Sequence, residues 1–244
     1  MNALMLDPGS LRTQSLFSSF TERQLTGIVP AVKHRSYAAG SAILRAGDVP
    51  EGLYVLLSGR AKVVHEDGQG RMLITAYVGP NEFFGEMGLL DGKAYPATVQ
   101  AIEQCEVAFV PRKTFLDCIC DNAPAALYVL QKVLERLAAA HDKMASLALS
   151  NVYTRVARVL LENGRQTESG WRVKPGAEEI AALVGASREM VSRVVKGMIS
   201  AGVVRREKRK LVVTDRQALA SSFLRSCDSE TSPVRRCHDL VHTV

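Results

Sequence analysis

"AEEIAALVGASREMVSRVVKGMISAGVVRREKRKLVV", residues 177–213, decides how the rest of the chain is read. Ala181, Leu183 and Val184 fall on the inner face of a first helix. Gly185 ends it, because a residue without Cβ takes a positive φ at no steric cost. Ser187 is a good N-cap for a second helix, expected to bury Met190, Val191, Val194 and Met198. Two helices joined by so short a turn cannot lie antiparallel and must cross steeply, the geometry of a helix-turn-helix.

The polar face of the second helix sets the chemistry. Arg188, Ser192 and Lys196 share one row at spacing i, i+4, i+8, and Glu189 and Arg193 form the adjacent row. The N-terminal end of such a helix is the part that enters the major groove. There a guanidinium fork can grip guanine O6 and N7, while a carboxylate accepts from cytosine N4. Arg188, Glu189 and Arg193 are the candidate base readers; Ser187, Ser192 and Lys196 are candidates for the phosphate backbone. The following "GVVRREKRKLVV" reads as strand, charged turn, strand. Such a wing would set Arg205, Arg206, Lys208, Arg209 and Lys210 over phosphates, where cations supply salt-dependent affinity without reading sequence.

The charge distribution agrees. From Asn151 onward the chain carries 17 Lys and Arg against 10 Asp and Glu; residues 1–150 carry 14 against 15. A basic half beside a neutral one is expected when one domain alone meets a polyanion. The chain of 244 residues, 47% of them hydrophobic, can bury two ordinary cores. No apolar run approaches the roughly 18 residues that span a bilayer, and the N-terminus lacks the basic-then-apolar order of a secretion signal. A cytoplasmic protein without membrane contact is expected. Five cysteines, an odd number, argue against a disulfide framework, and Cys118-Ile-Cys120 has neither zinc-knuckle nor redox spacing.

Upstream, residues 16–30 read as a short helix capped by Ser19 or Thr21 and stopped at Pro30. From Val32 to about Val110, short β-rich runs recur between turn residues, with hairpin signals at Asp67-Gly68 and Gly79-Pro80-Asn81. These runs imply an antiparallel roll. A long helix is expected after Pro124, carrying Leu127, Leu130, Leu134, Leu137, His141, Met144 and Ala148. The steps alternate three and four, a period of 3.5, which marks a coiled-coil seam. His141 on that seam would meet its own copy across a two-fold axis. Next, "VYTRVARVLLENGR" reads as a helix and "QTESGWRVKP" as a loop with one short strand.

Roll, seam helix and winged helix-turn-helix, in that order, resemble the Crp/Fnr family of bacterial transcription regulators. The resemblance covers residues from about 16 to 214, and rests most on "GEMGLL" (85–90) and "VGASREMVSRVVKGM" (184–198). It implies an α+β chain: a cyclic-nucleotide-binding-like β-roll at 16–123, a dimerisation helix at 124–150, and a winged helix-turn-helix at 151–214. The remainder, 215–244, is expected to be a partly mobile extension that begins helix-like (RQALASSFLR, 216–225) and turns polar from Ser226. It also implies a homodimer, a palindromic site of TGTGA type on double-stranded DNA, and contact with RNA polymerase. The base-reading roles of Arg188, Glu189 and Arg193 carry over from it.

In that family the Gly-acid segment is a phosphate-binding cassette: the glutamate takes a ribose hydroxyl and a following Arg-Ser pair neutralises and caps the phosphate. Gly85 and Glu86 match the pattern, but Tyr95 and Pro96 stand where the Arg-Ser pair should be, and the turn before them is one residue short. The polar pair that meets adenine becomes Ala140 and His141. Losing the arginine removes a charge-assisted phosphate contact of about 1.5–3 kcal/mol. Weak or no cyclic AMP binding is expected. Cyclic di-GMP is the leading candidate effector, with Lys93, Arg60 and Arg71 as candidate anchors; the alternative is a vestigial pocket on a ligand-independent DNA binder. Neither an iron–sulfur cluster nor haem is expected, and no metal site. An enzyme is disfavoured by the absence of any nucleophile–base pairing, metal-spaced set or phosphate loop. A nucleotide-sensing interaction module that never touches DNA is disfavoured by the recognition helix and the basic wing.

Overall fold

A computed structural model describes residues 7–167, 170–208 and 210–224. The chain divides into two compact units, the first drawn mainly from residues up to Ala138 and the second mainly from Ala139 onward.

The first unit begins with α1 (Pro8–Arg12) and α2 (Glu22–Ile28). Thr21 caps α2, accepting from the Gln24 amide, so of the two expected caps Thr21 serves. The Ser19 hydroxyl donates instead to Asn122 Oδ1. Eight strands follow: β1 (Lys33–Tyr37), β2 (Ala42–Leu44), β3 (Gly52–Ser58), β4 (Ala61–Glu66), β5 (Met72–Val78), β6 (Phe83–Phe84), then α3 (Glu86–Asp91), β7 (Thr98–Ala101) and β8 (Cys105–Pro111). They form two four-stranded sheets with orders β1-β8-β3-β6 and β2-β7-β4-β5. The expected turns at Asp67-Gly68 and Gly79-Pro80-Asn81 separate β4 from β5 and β5 from β6.

Strand β3, "GLYVLLS", is apolar nearly throughout because the sheet is covered on both faces. Alternation sends Tyr54 and Leu56 into one core with Ile43, Val99, Val107 and Phe109. Leu53 and Val55 go to the opposite core, with Leu11, Leu25, Ala108, Val110 and Phe115. In register, Tyr54 stands between Phe84 of β6 and Phe109 of β8. Its ring stacks on Phe84 at 5.3 Å and meets Phe109 edge-on at 5.2 Å. Helix α4 (Arg112–Cys120) closes the second core through Phe115.

Helix α5 (Ala123–Leu149) is 27 residues long, about 40 Å at 1.5 Å per residue. The buried Asn122 starts it, accepting from the Ala125 amide at 3.0 Å. It therefore begins one residue before the expected proline; Pro124 sits in the first turn, where its missing N–H costs no hydrogen bond. Ala125 and Val129 pack into the core beside α4, whereas Leu127, Leu130, Leu134, Leu137 and Met144 are each 49–56% exposed.

The second unit contains α6 (Val152–Glu162), β9 (Gly164–Thr167), β10 (Gly170–Val173), α7 (Ala177–Val184), α8 (Arg188–Ser200), β11 (Val204–Glu207), β12 (Lys210–Val213) and α9 (Arg216–Leu224). Asn151 caps α6 by accepting from the Thr154 amide at 2.9 Å. In place of the expected loop with one strand there are two strands, β9 (164–167) pairing antiparallel with β10 (170–173). Trp171 explains it: its indole donates to Leu160 O at 3.1 Å, tying β10 to the end of α6. The four strands form one sheet of order β11-β12-β10-β9. The core of this unit also passes the expected boundary at 214. Leu219 of α9 is fully buried, so the helix belongs to the unit, and of the expected extension residues 225–244 lie outside the described residues.

Candidate DNA-binding surface and ligand cassette

Helices α7 and α8 and the residues between them build the first site. Gly185 closes α7 in the left-handed region at φ 62°. Its amide and that of Ala186 both return to the Ala181 carbonyl. The last carbonyls of α7 would otherwise lack partners. Lys143 Nζ donates to Leu183 O, and Arg155 Nε donates to Val184 O at 2.9 Å. Arg155 Nη1 also donates to Leu147 O at 3.3 Å and to Ser150 O at 2.5 Å. Two cations thus clamp the C-terminal ends of α5 and α7 together through carbonyls that a cation suits best. Sequence reasoning missed both, since contacts from 143 and 155 to 183 and 184 leave no local pattern.

Ser187 caps α8, accepting from the Met190 amide at 3.2 Å. The buried row of α8 is Val191, Val195 and Met198; Met190 is 43% exposed and Val194 only partly covered. This corrects the expected inner face. Met190, Val191, Val194 and Val195 are all apolar, so the pattern fits two faces about 100° apart. Packing against α6 selects the one at i, i+4, i+7.

The outward row then carries Arg188, Glu189, Ser192, Arg193 and Lys196, all exposed. Among the described residues, Arg193 and Lys196 have no acidic partner. Glu189 lies below the usual glutamate range because its own backbone amide and Ser187 donate to its carboxylate. It is an acceptor only at neutral pH. Arg188 Nη2 is in an ion pair with Glu178 Oε1, from the first turn of α7.

The two wing strands form as expected, antiparallel, with Glu207 paired to Lys210 in register. Lys208 adopts a left-handed φ of 50° just after β11; Arg209 lies outside the described residues. Arg205 pairs with Glu207 at 2.7 Å, Arg172 reaches the same carboxylate at 3.4 Å, and Lys210 donates to Lys174 O at 3.0 Å. Arg205, Arg206, Lys208 and Lys210 are exposed.

The second site is the cassette on the first unit. Gly85 takes φ 91° ahead of α3, which turns β6 into the helix and places Glu86 at its first position. Glu86 is 2% exposed, an unusual place for a carboxylate. Arg136 of α5 meets it, Nη1 to Oε1 at 2.6 Å, and its Nη2 donates to Phe83 O while the guanidinium stands 5.0 Å over the Phe83 ring. The charge that a cassette glutamate needs is therefore supplied from inside the chain. No local signal connects residues 86 and 136, and sequence reasoning missed the pair.

Tyr95 is 4% exposed and its ring packs against the Gly85–Gly88 turn. Its hydroxyl donates to Gly52 O at 3.0 Å, and burial pushes the phenol above its usual range. An aromatic plug thus stands where the resemblance calls for a phosphate-binding cation, beside the exposed Pro96. Each candidate anchor is exposed. Arg71 is bound to Asp67 at 2.6 Å on the hairpin, Arg60 stands over the Tyr77 ring at 5.7 Å, and Lys93 is exposed with its amide on Asp91. His141 is exposed and falls in the second unit. Among the described residues, no cluster of His, Cys, Asp and Glu could hold a metal ion, and no helix is long and apolar enough to cross a membrane.

Comparison with known proteins bears on both sites. Residues 34–122 match the cyclic nucleotide-binding domain family and residues 154–222 the Crp-like helix-turn-helix domain family. The chain is 33% identical over 201 residues to the cAMP-activated global transcriptional regulator Vfr of Pseudomonas aeruginosa, covering 78% of this chain and 94% of that one. It is 30% identical over 183 residues to the cAMP-activated global transcriptional regulator CRP of Haemophilus influenzae, covering 72% and 82%. Among solved structures, the c-di-GMP responsive global regulator CLP of Xanthomonas campestris superposes with a TM-score of 0.72 at 26% identity, over 80% of this chain and all of that one. A cyclic-nucleotide roll followed by a Crp-like helix-turn-helix, matched in both halves by such relatives, makes this chain a member of the Crp/Fnr family of DNA-binding transcription regulators, not an enzyme.

Proposed function

We propose that the chain acts in the cytoplasm as a homodimer on a palindromic, TGTGA-like DNA site, in contact with RNA polymerase, and that cyclic AMP is not its effector. The pairing follows from α5: a 3.5-residue leucine row about half exposed to solvent needs a second apolar surface, and an identical helix supplies one. Arg188, Glu189 and Arg193 read bases, while Ser187, Ser192, Lys196, Arg205, Arg206, Lys208 and Arg209 meet phosphates.

The observation that carries the effector reading is Tyr95. A buried ring hydrogen-bonded to Gly52 O occupies the cassette in place of a cation, and Pro96 adds no N–H donor. Cyclic di-GMP remains the leading candidate, supported by likeness to a regulator described as c-di-GMP responsive. A second reading, ligand-independent DNA binding, is favoured by the Glu86–Arg136 pair, which satisfies the cassette carboxylate without any ligand.

Calorimetric titration with cyclic AMP, cyclic GMP and cyclic di-GMP tests all of this. Heat from cyclic di-GMP alone supports the first reading, and silence from all three the second. Micromolar or tighter cyclic AMP binding contradicts the cassette argument.

A further inference from the structure

We infer that Glu178 is a specificity-determining positioning residue for the recognition helix. The inference rests on the DNA-binding reading above. Arg188 is the first residue of α8, and Glu178 lies in the first turn of α7; the Nη2–Oε1 ion pair links them. Both side chains are exposed, 67% and 60%, so the pair adds little to folding. Its consequence is for where the guanidinium goes.

An arginine at the N-terminal end of a recognition helix has two kinds of partner in DNA: guanine O6 and N7, or a phosphate oxygen. The phosphate contact carries no sequence information and needs only that the flexible side chain swing outward. Glu178 opposes that swing in two ways. It holds Nη2 through one of its two N–H groups, leaving the second, with those of Nη1 and Nε, free for a bidentate base contact. It also places a carboxylate at the DNA-facing ends of both helices, which repels phosphates whatever the sequence. Glu178 therefore lowers affinity for DNA in general and raises the share of Arg188 contacts made to a base.

The two effects have opposite signs, and that makes the role separable from a structural one. The test compares wild type, E178Q, R188A and the double variant on a library of fully randomised duplexes and on one random-sequence duplex, across salt concentrations. E178Q is expected to bind the random duplex about three- to tenfold more tightly and to lose about three- to tenfold of the preference at a single base pair per half-site. Preferences at the other positions persist. In the R188A background E178Q should still tighten random binding but leave every preference unchanged, because the residue it positions is gone.

The inference is overturned if E178Q weakens all duplexes alike, or if its preferences equal those of wild type. If wild type enriches no sequence from the library, the DNA-reading proposal itself fails and this inference with it.

Discussion

Replacing Arg136 with methionine is the sharpest probe of the cassette. The substitution keeps most of the stem volume and deletes the guanidinium. Glu86 then loses its 2.6 Å partner and the Phe83 carbonyl loses a donor. Removing one member of a buried ion pair costs about 3–5 kcal/mol. Arg136 is 37% exposed, though, so water can approach Glu86 from that side once the guanidinium is gone, and about 2–3 kcal/mol is the working figure. For a unit of this size each kcal/mol moves the midpoint by about 3–5 °C, so Tm should fall by about 6–15 °C. Scanning calorimetry reads this directly, the transition being assigned to the roll by near-ultraviolet signals from its tyrosines. Glu86→Gln combined with Arg136→Met should recover at least half of the loss, because no buried charge is left unpaired. A shift below 2 °C for Arg136→Met, or no recovery in the double variant, would refute the claim that Arg136 neutralises Glu86.

Further expectations concern the second unit and the thiols. Arg188→Ala should cost about 1–3 kcal/mol on the preferred site and relax one base pair per half-site, whereas Lys208→Ala should weaken all duplexes alike and flatten the salt dependence, both read by fluorescence anisotropy. Burial pushes Cys118 up to about 11 and raises Cys105, so at pH 8 both stay protonated; iodoacetamide should label the exposed Cys120 well before either, as peptide mass spectrometry will score. Burial also raises Glu162, with Arg158 and Lys143 opposing the shift. A carboxyl whose folded pKa lies above its unfolded value favours folding below about 4.5 and loses that advantage as pH rises through the folded value. Glu162→Gln should accordingly stabilise the protein at pH 7 and make no difference at pH 4, by urea denaturation.

Where the sequence was legible, short-range chemistry made it so. Gly185 and Ser187 sit two residues apart and each satisfies a neighbour's amide or carbonyl, so the turn between α7 and α8 is written locally. The leucine row of α5 is likewise periodic and its exposure follows the heptad. The failures lie where tertiary contacts decide. Val195 rather than Val194 is buried because α6 covers that side of α8. The helix from residue 216 was legible, but not that Leu219 would join the core, because its segment carries no clear apolar face. The partners of Glu86 and of the α7 carbonyls come from 50 and about 30–40 positions away, beyond the reach of any spacing rule. The cassette was half legible: the missing arginine was visible, but not that Tyr95 would turn inward onto Gly52.

On the proposed reading, two copies of α8, held by paired α5 helices, read a palindrome. Analytical ultracentrifugation of the purified chain with a labelled TGTGA palindrome, against a scrambled duplex at 150 mM salt, tests it most directly. The expected result is a dimer alone and a two-to-one protein–DNA complex on the palindrome, with binding to the scrambled sequence weaker by about a hundredfold or more, an order of magnitude below typical specificity ratios of about a thousand or more. A monomer, or equal binding to both duplexes, would contradict it.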